Sequence, residues 1–111
     1  MMHDKKYIQA WEYLKKDNYN EGLLLLSKLA DNNYYEATYD LAGINYYGSY
    51  GLEKNYEKAL IYYEKSFLLS KRRKILEELL YVKYEKSGAI KTFFYCVFNK
   101  KIFSTLLISK G

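Results

Sequence analysis

Two apolar stripes at helical spacing, joined by a loop that carries its own glycines, constrain this chain more than any other feature. In residues 35–69, YEATYDLAGINYYGSYGLEKNYEKALIYYEKSFLL, Ala37, Leu41 and Ile44 fall at i, i+4 and i+7. Beyond the loop Tyr56, Ala59, Leu60, Tyr63 and Phe67 repeat that spacing. Each half reads as a helix with one face turned to a core. Gly48 and Gly51 can take the positive φ that ends the first helix and reverses the chain. Asn33 followed by Glu36 has the spacing of a capping box, which marks the start of the unit. Ala42, Gly43 and Ala59 are small enough to let the two helix axes close to about 8–10 Å. The stretch is therefore expected to form one antiparallel helical hairpin.

The residues that carry this pattern are Ala37, Leu41-Ala42-Gly43, Tyr46 to Leu52, Asn55-Tyr56, Lys58-Ala59, Tyr62-Tyr63 and Lys65-Ser66. Together they resemble the Sel-one-like repeat, a branch of the tetratricopeptide superfamily. Leu52 stands where that pattern has valine, Asn55 where it has aspartate, Tyr62 for its tryptophan and Ser66 for its final alanine. The segment Gly48 to Gly51 is one residue longer than the family's glycine turn. Keeping Ala37 and Leu41 in register puts Asn45 at the family's tyrosine position. Sliding by one residue places Gly43 and Tyr46 instead, but spoils Ala37 and Leu41. The first register preserves the apolar stripe. The resemblance covers about one repeat and implies an α/α-repeat fold whose relatives serve mostly as scaffolds and adaptors for other proteins.

The flanking sequence can be read as degenerate copies of that hairpin. A helix over residues 4–16 carries Tyr7, Ala10, Trp11 and Leu14 on one face, and Asp17 or Asn18 caps a second, with Asn18 and Glu21 again at capping-box spacing. That second helix contains Leu23 to Leu26 and Leu29, so it needs neighbours on two sides. Tyr19-x-x-Gly22 aligns with Tyr56-x-x-Ala59 at an offset of 37 residues, inside the range of about 34–40 for such repeats. Ser70 is a candidate N-cap for a fifth helix carrying Ile75, Leu76, Leu79, Leu80 and Val82. A sixth, from Ala89 to about Ile108, carries Ile90, Phe93, Phe94, Val97, Phe98, Ile102, Phe103, Leu106 and Leu107. Ala37 and Ile75 are then equivalent at an offset of 38. The expectation is one all-α domain over residues 1–111, a short right-handed solenoid of about six helices in hairpins near 4–31, 33–69 and 71–108. The absence of proline, with 50% hydrophobic and 28% charged residues, suits that class.

Functional signals are sparser. The amino end, MMHDKKYIQAW, has no apolar run after its charges, and no segment approaches the ~20 apolar residues of a membrane span, so a cytoplasmic protein is expected. The sixth helix, with Lys91, Lys100 and Lys101, could lie on a membrane surface, but a capping helix needs the same apolar face. The one cysteine, Cys96, lies in the apolar run FFYCVF and reads as a small buried thiol. The one histidine, His3, sits in an expected frayed terminus, which leaves no triad or histidine metal site to assemble. Glu53, Glu77 and Glu78 have the spacing of exposed helix faces. No catalytic, cofactor or metal residues are assigned, and an enzyme is not expected.

Charge is uneven along the chain. Residues 1–55 hold six Lys and eight Asp or Glu, whereas residues 56–111 hold twelve Lys or Arg and five Glu. The sharpest block, Lys71, Arg72, Arg73 and Lys74, opposes the dipole of the helix it opens, which points weakly to a partner. The family resemblance places Tyr7, Trp11, Tyr39, Gly43 and Tyr46 on the inner, partner-facing surface. The leading expectation is a non-catalytic module that binds a protein or peptide there. Alternatives are a cytosolic immunity protein that neutralises a toxin, and a nucleic-acid-binding accessory protein acting through Lys71 to Lys74. An exposed end of the stack could also support a homodimer.

Overall fold

The computed structural model of the protein describes residues 2–85, which form helices α1 (Met2–Lys15), α2 (Tyr19–Asp31), α3 (Tyr35–Tyr47), α4 (Tyr56–Ser70) and α5 (Arg73–Glu85). There is no strand among the described residues, and each helix packs on the next in sequence. The expected sixth helix, Cys96 and the hairpin end near residue 108 lie outside the described residues. His3 belongs to α1, with its ring edge-on to Tyr34 at 6.0 Å, so the frayed terminus expected around it is not what forms.

The core has two parts that meet at α3. Ala10 and Leu14 of α1, Leu26, Leu29 and Ala30 of α2, and Ala37, Leu41 and Ile44 of α3 make the first. Ala42 of α3, Ala59, Tyr63 and Phe67 of α4, and Ile75, Leu76 and Val82 of α5 make the second. Tyr62 packs against both. Helix α3 is thus buried on two sides, and its polar core residues bond locally, as burial requires. Thr38 Oγ1 donates to the Tyr34 carbonyl at 3.2 Å, and Asn45 Nδ2 to the Leu41 carbonyl at 2.8 Å. On α4 the buried Ser66 hydroxyl donates to the Tyr63 carbonyl at 3.0 Å. Between hairpins, Lys65 Nζ of α4 donates to the Ala30 carbonyl at 2.6 Å, placing a cation at the carboxyl end of α2, where the helix dipole favours it.

Each of the first four helices is followed by a residue in the left-handed region: Asp17 (φ 64°), Asn33 (φ 64°), Gly48 (φ 71°) and Lys71 (φ 58°). This corrects the capping expectations. Asn33 turns the chain out of α2 and does not cap α3, whose N-cap is Tyr34 with no side-chain bond. Asn18 holds the N-cap position of α2 but also makes no capping bond. Ser70 is the last residue of α4, with its hydroxyl accepting from the Arg72 backbone N–H at 3.3 Å, and α5 begins at Arg73. At α4 the N-cap does form a side-chain bond: Asn55 Oδ1 accepts from the Lys58 backbone N–H at 3.0 Å and so opens the helix.

The loop between α3 and α4 is tied at both ends. Gly48 and Gly51 both have positive φ, as their positions demand, and the Asn55 backbone N–H returns to the Asn45 carbonyl at 2.7 Å. At its tip Tyr50, itself at φ 54°, sets its ring edge-on against Trp11 at 5.9 Å and Tyr19 at 5.6 Å. The loop of the second hairpin therefore packs on the first.

Small residues set helix spacing at some expected places and not others. Ala42 and Ala59 are fully buried between α3 and α4. Gly43 is not part of that contact: a Cβ there would meet nothing nearer than the Tyr63 hydroxyl at 4.0 Å. Gly22 is the glycine that close packing requires, since a Cβ would lie 2.7 Å from Leu14 Cγ and Cδ2 and 3.0 Å from the Ala10 carbonyl oxygen. The two positions respond oppositely to alanine. At Gly43 only the helix-propensity gain acts, and Gly43→Ala raises stability by about 0.5–1 kcal/mol. At Gly22 the overpacking cost of about 1–3 kcal/mol outweighs that gain, so Gly22→Ala lowers the melting temperature. Parallel thermal melts followed by helical circular dichroism check both signs.

Candidate functional site

Helices α1, α3 and α5 share one groove. Tyr7 from α1, Tyr35, Glu36, Tyr39 and Asp40 from α3, and Arg72, Lys74 and Ile75 at the start of α5 line a cavity of about 290 Å³. The i, i+4 spacing of Tyr7 with Trp11, and of Tyr35 with Tyr39, puts each pair on one side of its helix.

The groove is held by aromatic donors that reach carboxylates on the next helix but one. The Tyr7 hydroxyl and Trp11 Nε1 both donate to Asp40 Oδ2, the indole at 3.2 Å. Further along, the Tyr46 hydroxyl donates to the Glu85 carboxylate at 2.9 Å from each oxygen. Near the amino end Tyr34 donates to Asp4 Oδ1 at 2.7 Å. Bonds to ionised acceptors are stronger than neutral ones, so these links fix the spacing of α1, α3 and α5.

Their electrostatics are consistent with that role. Burial raises the Asp40 carboxyl above its ordinary range, against the opposing hydrogen bonds from Tyr7 and Trp11. Burial first, then the partner carboxylate, holds Tyr7 (with Asp40) and Tyr46 (with Glu85) well above the usual phenol value. The same two causes act on Tyr39 and Tyr63, where the carboxylate is that of Glu78. These phenols stay protonated throughout the neutral range, and those of Tyr7 and Tyr46 serve as hydrogen-bond donors.

The sequence-predicted residues divide between these roles. Tyr7, Trp11, Tyr39 and Tyr46 lie along α1 and α3, all half-buried, so each packs between helices and also borders the groove or its continuation. Gly43 is half-buried and contributes open space only. The four exposed cations of the basic block have different neighbours. Lys71 lies over the Phe67 ring at 5.8 Å, Arg72 over the Tyr35 ring at 5.6 Å, Arg73 stands 3.8 Å from Glu77, and Lys74 lines the groove. Sequence reasoning missed Asp40, Glu78 and Glu85. Glu78 in particular is not on an exposed face, for its Oε2 is fully buried. The signal for Asp40 was available: an acid within the turn between the core residues Ala37 and Leu41 needs partners for its charge.

Among the described residues no cluster of His, Cys, Asp and Glu could hold a metal ion, and no helix is long and apolar enough to cross a membrane. Compared with protein-family models, curated proteins and solved structures, the chain matches none.

Asp40 gives this site a pH signature. Its folded-state value lies above its unfolded one, so the ionised form costs stability above the raised value, and that cost fades as pH falls from the raised value to the ordinary one of about 3.9, below which it is gone. Asp40→Asn imitates the protonated form and keeps an acceptor for Tyr7 and Trp11. It is expected to be at least as stable as the parent at pH 7 and to lose that advantage toward pH ~4. Urea unfolding of both proteins at the two pH values measures the difference.

Proposed function

We propose that the chain is a short α/α-repeat module, related to Sel-one-like repeats, that acts as a non-catalytic adaptor and takes a partner protein or peptide along the face shared by α1, α3 and α5. The observation that carries this reading is the groove itself, which combines tyrosine rings with both signs of charge, Glu36 and Asp40 against Arg72 and Lys74. Rigid aromatics bring contact area at small entropic cost, and opposed charges orient an incoming chain. Helices packed in strict chain order, with the second hairpin's loop lying on the first, are what a stacked array of hairpins requires. The groove offers little to catalysis. Its carboxylate Asp40 is engaged by two aromatic donors, and the Tyr7 phenol, held above its usual value, is a poor base or nucleophile near neutral pH.

The nucleic-acid alternative draws less support, because two of the four cations at Lys71 to Lys74 lie over aromatic rings of this chain and a third stands beside Glu77. The adaptor reading is tested by capturing the partner from the source cell and repeating the capture with an Arg72→Glu/Lys74→Glu double variant. Both side chains are exposed, so the variant keeps the parent's helicity and melting behaviour. Partner recovery should fall roughly tenfold or more. Undiminished recovery by a folded variant places the partner elsewhere and overturns the proposal.

A further inference from the structure

Helix α5 turns two stripes to different sides. Ile75, Glu78 and Val82 face cavities shared with α3. Leu76, Leu79, Leu80 and Lys83, at i, i+3, i+4 and i+7, face a groove shared with α4, whose Leu60, Glu64, Phe67 and Leu68 form the opposite wall. With Tyr84 at its end, this groove encloses about 330 Å³, and apart from Glu64 and Lys83 every lining residue is Leu, Phe or Tyr. Phe67 and Leu76 make a buried floor, Leu60, Leu79 and Leu80 are only partly buried, and Leu68 is 48% exposed. Among the described residues, no helix other than α4 and α5 contributes to it. Each of α2, α3 and α4 packs between two helices adjacent in sequence, whereas α5 has such a described neighbour on its amino side alone. An apolar trough of this kind left to water is unfavourable.

The rest of the chain carries what the groove lacks. Residues 86–111 lie outside the described residues, and their sequence starts at the Tyr84 end of the groove, directly after Glu85. Gly88 permits a reversal, and past it Ile90, Phe93, Phe94 and Val97 fall at i, i+3, i+4 and i+7, the spacing that the α5 wall itself shows. Lys86, Lys91, Lys100, Lys101 and Lys110 are the segment's charged side chains, so Glu64 on the α4 wall is opposite in sign to all of them.

We propose that the segment Ile90 to Val97 fills this groove, running antiparallel to α5 and closing the stack behind it. Direction and position follow from connectivity. The turn from α4 to α5 puts Leu68 and Leu76 at one end of the groove, and α5 leads away to Lys83 and Tyr84 at the other, where Leu60 stands. Lys86 to Ala89 is length enough for a turn between neighbouring helices, which commonly takes about 2–8 residues. Ile90 therefore enters beside Leu60 and Tyr84, and Val97 reaches toward Leu68 and Leu76. The tether also selects the occupant. A segment joined to the groove's mouth by so short a link is present there at an effective concentration on the order of millimolar, which a separate partner would have to overcome. The inner face of α1, α3 and α5 is left open, so this proposal goes beyond the adaptor reading and does not rest on it.

The test is made on the full chain by NMR, with leucine methyls and phenylalanine rings isotope-labelled. Nuclear Overhauser cross-peaks are expected between the rings of Phe93 and Phe94 and the methyls of Leu60, Leu79 and Leu80, unchanged on dilution. A sample that mixes chains labelled only in leucine with chains labelled only in phenylalanine identifies the occupant, because a contact within one chain gives no cross-peak between the two labels there. Phe94→Asp should move the Leu79 and Leu80 methyls toward the positions of exposed leucine, while those of Leu26 and Leu41 in the first part of the core stay where they are. Absence of the cross-peaks from the parent chain, as for a groove kept for another protein, overturns the proposal. Their appearance in the mixed sample does so too, since the occupant is then a second copy of the chain. A folded Phe94→Asp chain whose Leu79 and Leu80 methyls do not move has the same force. Where that variant unfolds, the parent-chain cross-peaks and the mixed sample still decide the matter.

Discussion

Everything described depends on α3 being buried from two sides at once. Ala37, Leu41 and Ile44 face the first hairpin while Ala42 faces α4 and α5, so no wide polar face is left on this helix. A helix in that position cannot be held by one stripe of large residues. It needs small side chains where neighbours press closest, and Ala37, Ala42 and Ala59 are all fully buried. It also needs its buried polar groups satisfied within the helix, as Thr38 and Asn45 are through the carbonyls four residues back. With α3 fixed, α1 and α5 find their places on either side of it, and the groove between them exists because its floor is rigid.

Much of this was legible in the sequence because it depends on periodicity. The stripe Ala37, Leu41, Ile44 and the repeat of that spacing after the loop locate α3 and α4 and most of their buried residues. The glycine loop was legible too, since Gly48 takes the left-handed conformation that few other residues adopt readily. The other helix ends were not, because Asp17, Asn33 and Lys71 make the same turn without glycine, and a search for capping boxes assigned Asn33 to the wrong helix. Short polar residues serve both as N-caps and as left-handed C-terminal residues, and sequence spacing alone does not decide between those uses.

The inner face was half legible. Its tyrosines and Trp11 could be placed by helical spacing, but what they do depends on the carboxylates opposite, which lie 29 to 39 residues away in sequence. Local reading assigns such acids to solvent, as it did Glu78. Contact between α3 and α5 turns Glu78 inward, and no pattern within α5 announces that. The basic quartet was legible as charge but not by its neighbours: the fold sets Lys71 over a phenylalanine, Arg72 over a tyrosine, Arg73 beside a glutamate, and Arg72 and Lys74 along the groove.

The loop from Gly48 to Asn55 has a consequence for how such a chain can vary. Connecting segments ordinarily lengthen and shorten with little effect on what they join. This one behaves as a buckle, because Tyr50 is wedged against Trp11 and Tyr19 while Asn55 is fastened to Asn45. Removing or adding a residue there would change the angle at which one hairpin leans on the next, and through Trp11 would loosen its hold on Asp40. The length of an outer turn thus sets the phase of an inner surface that it reaches only through Trp11.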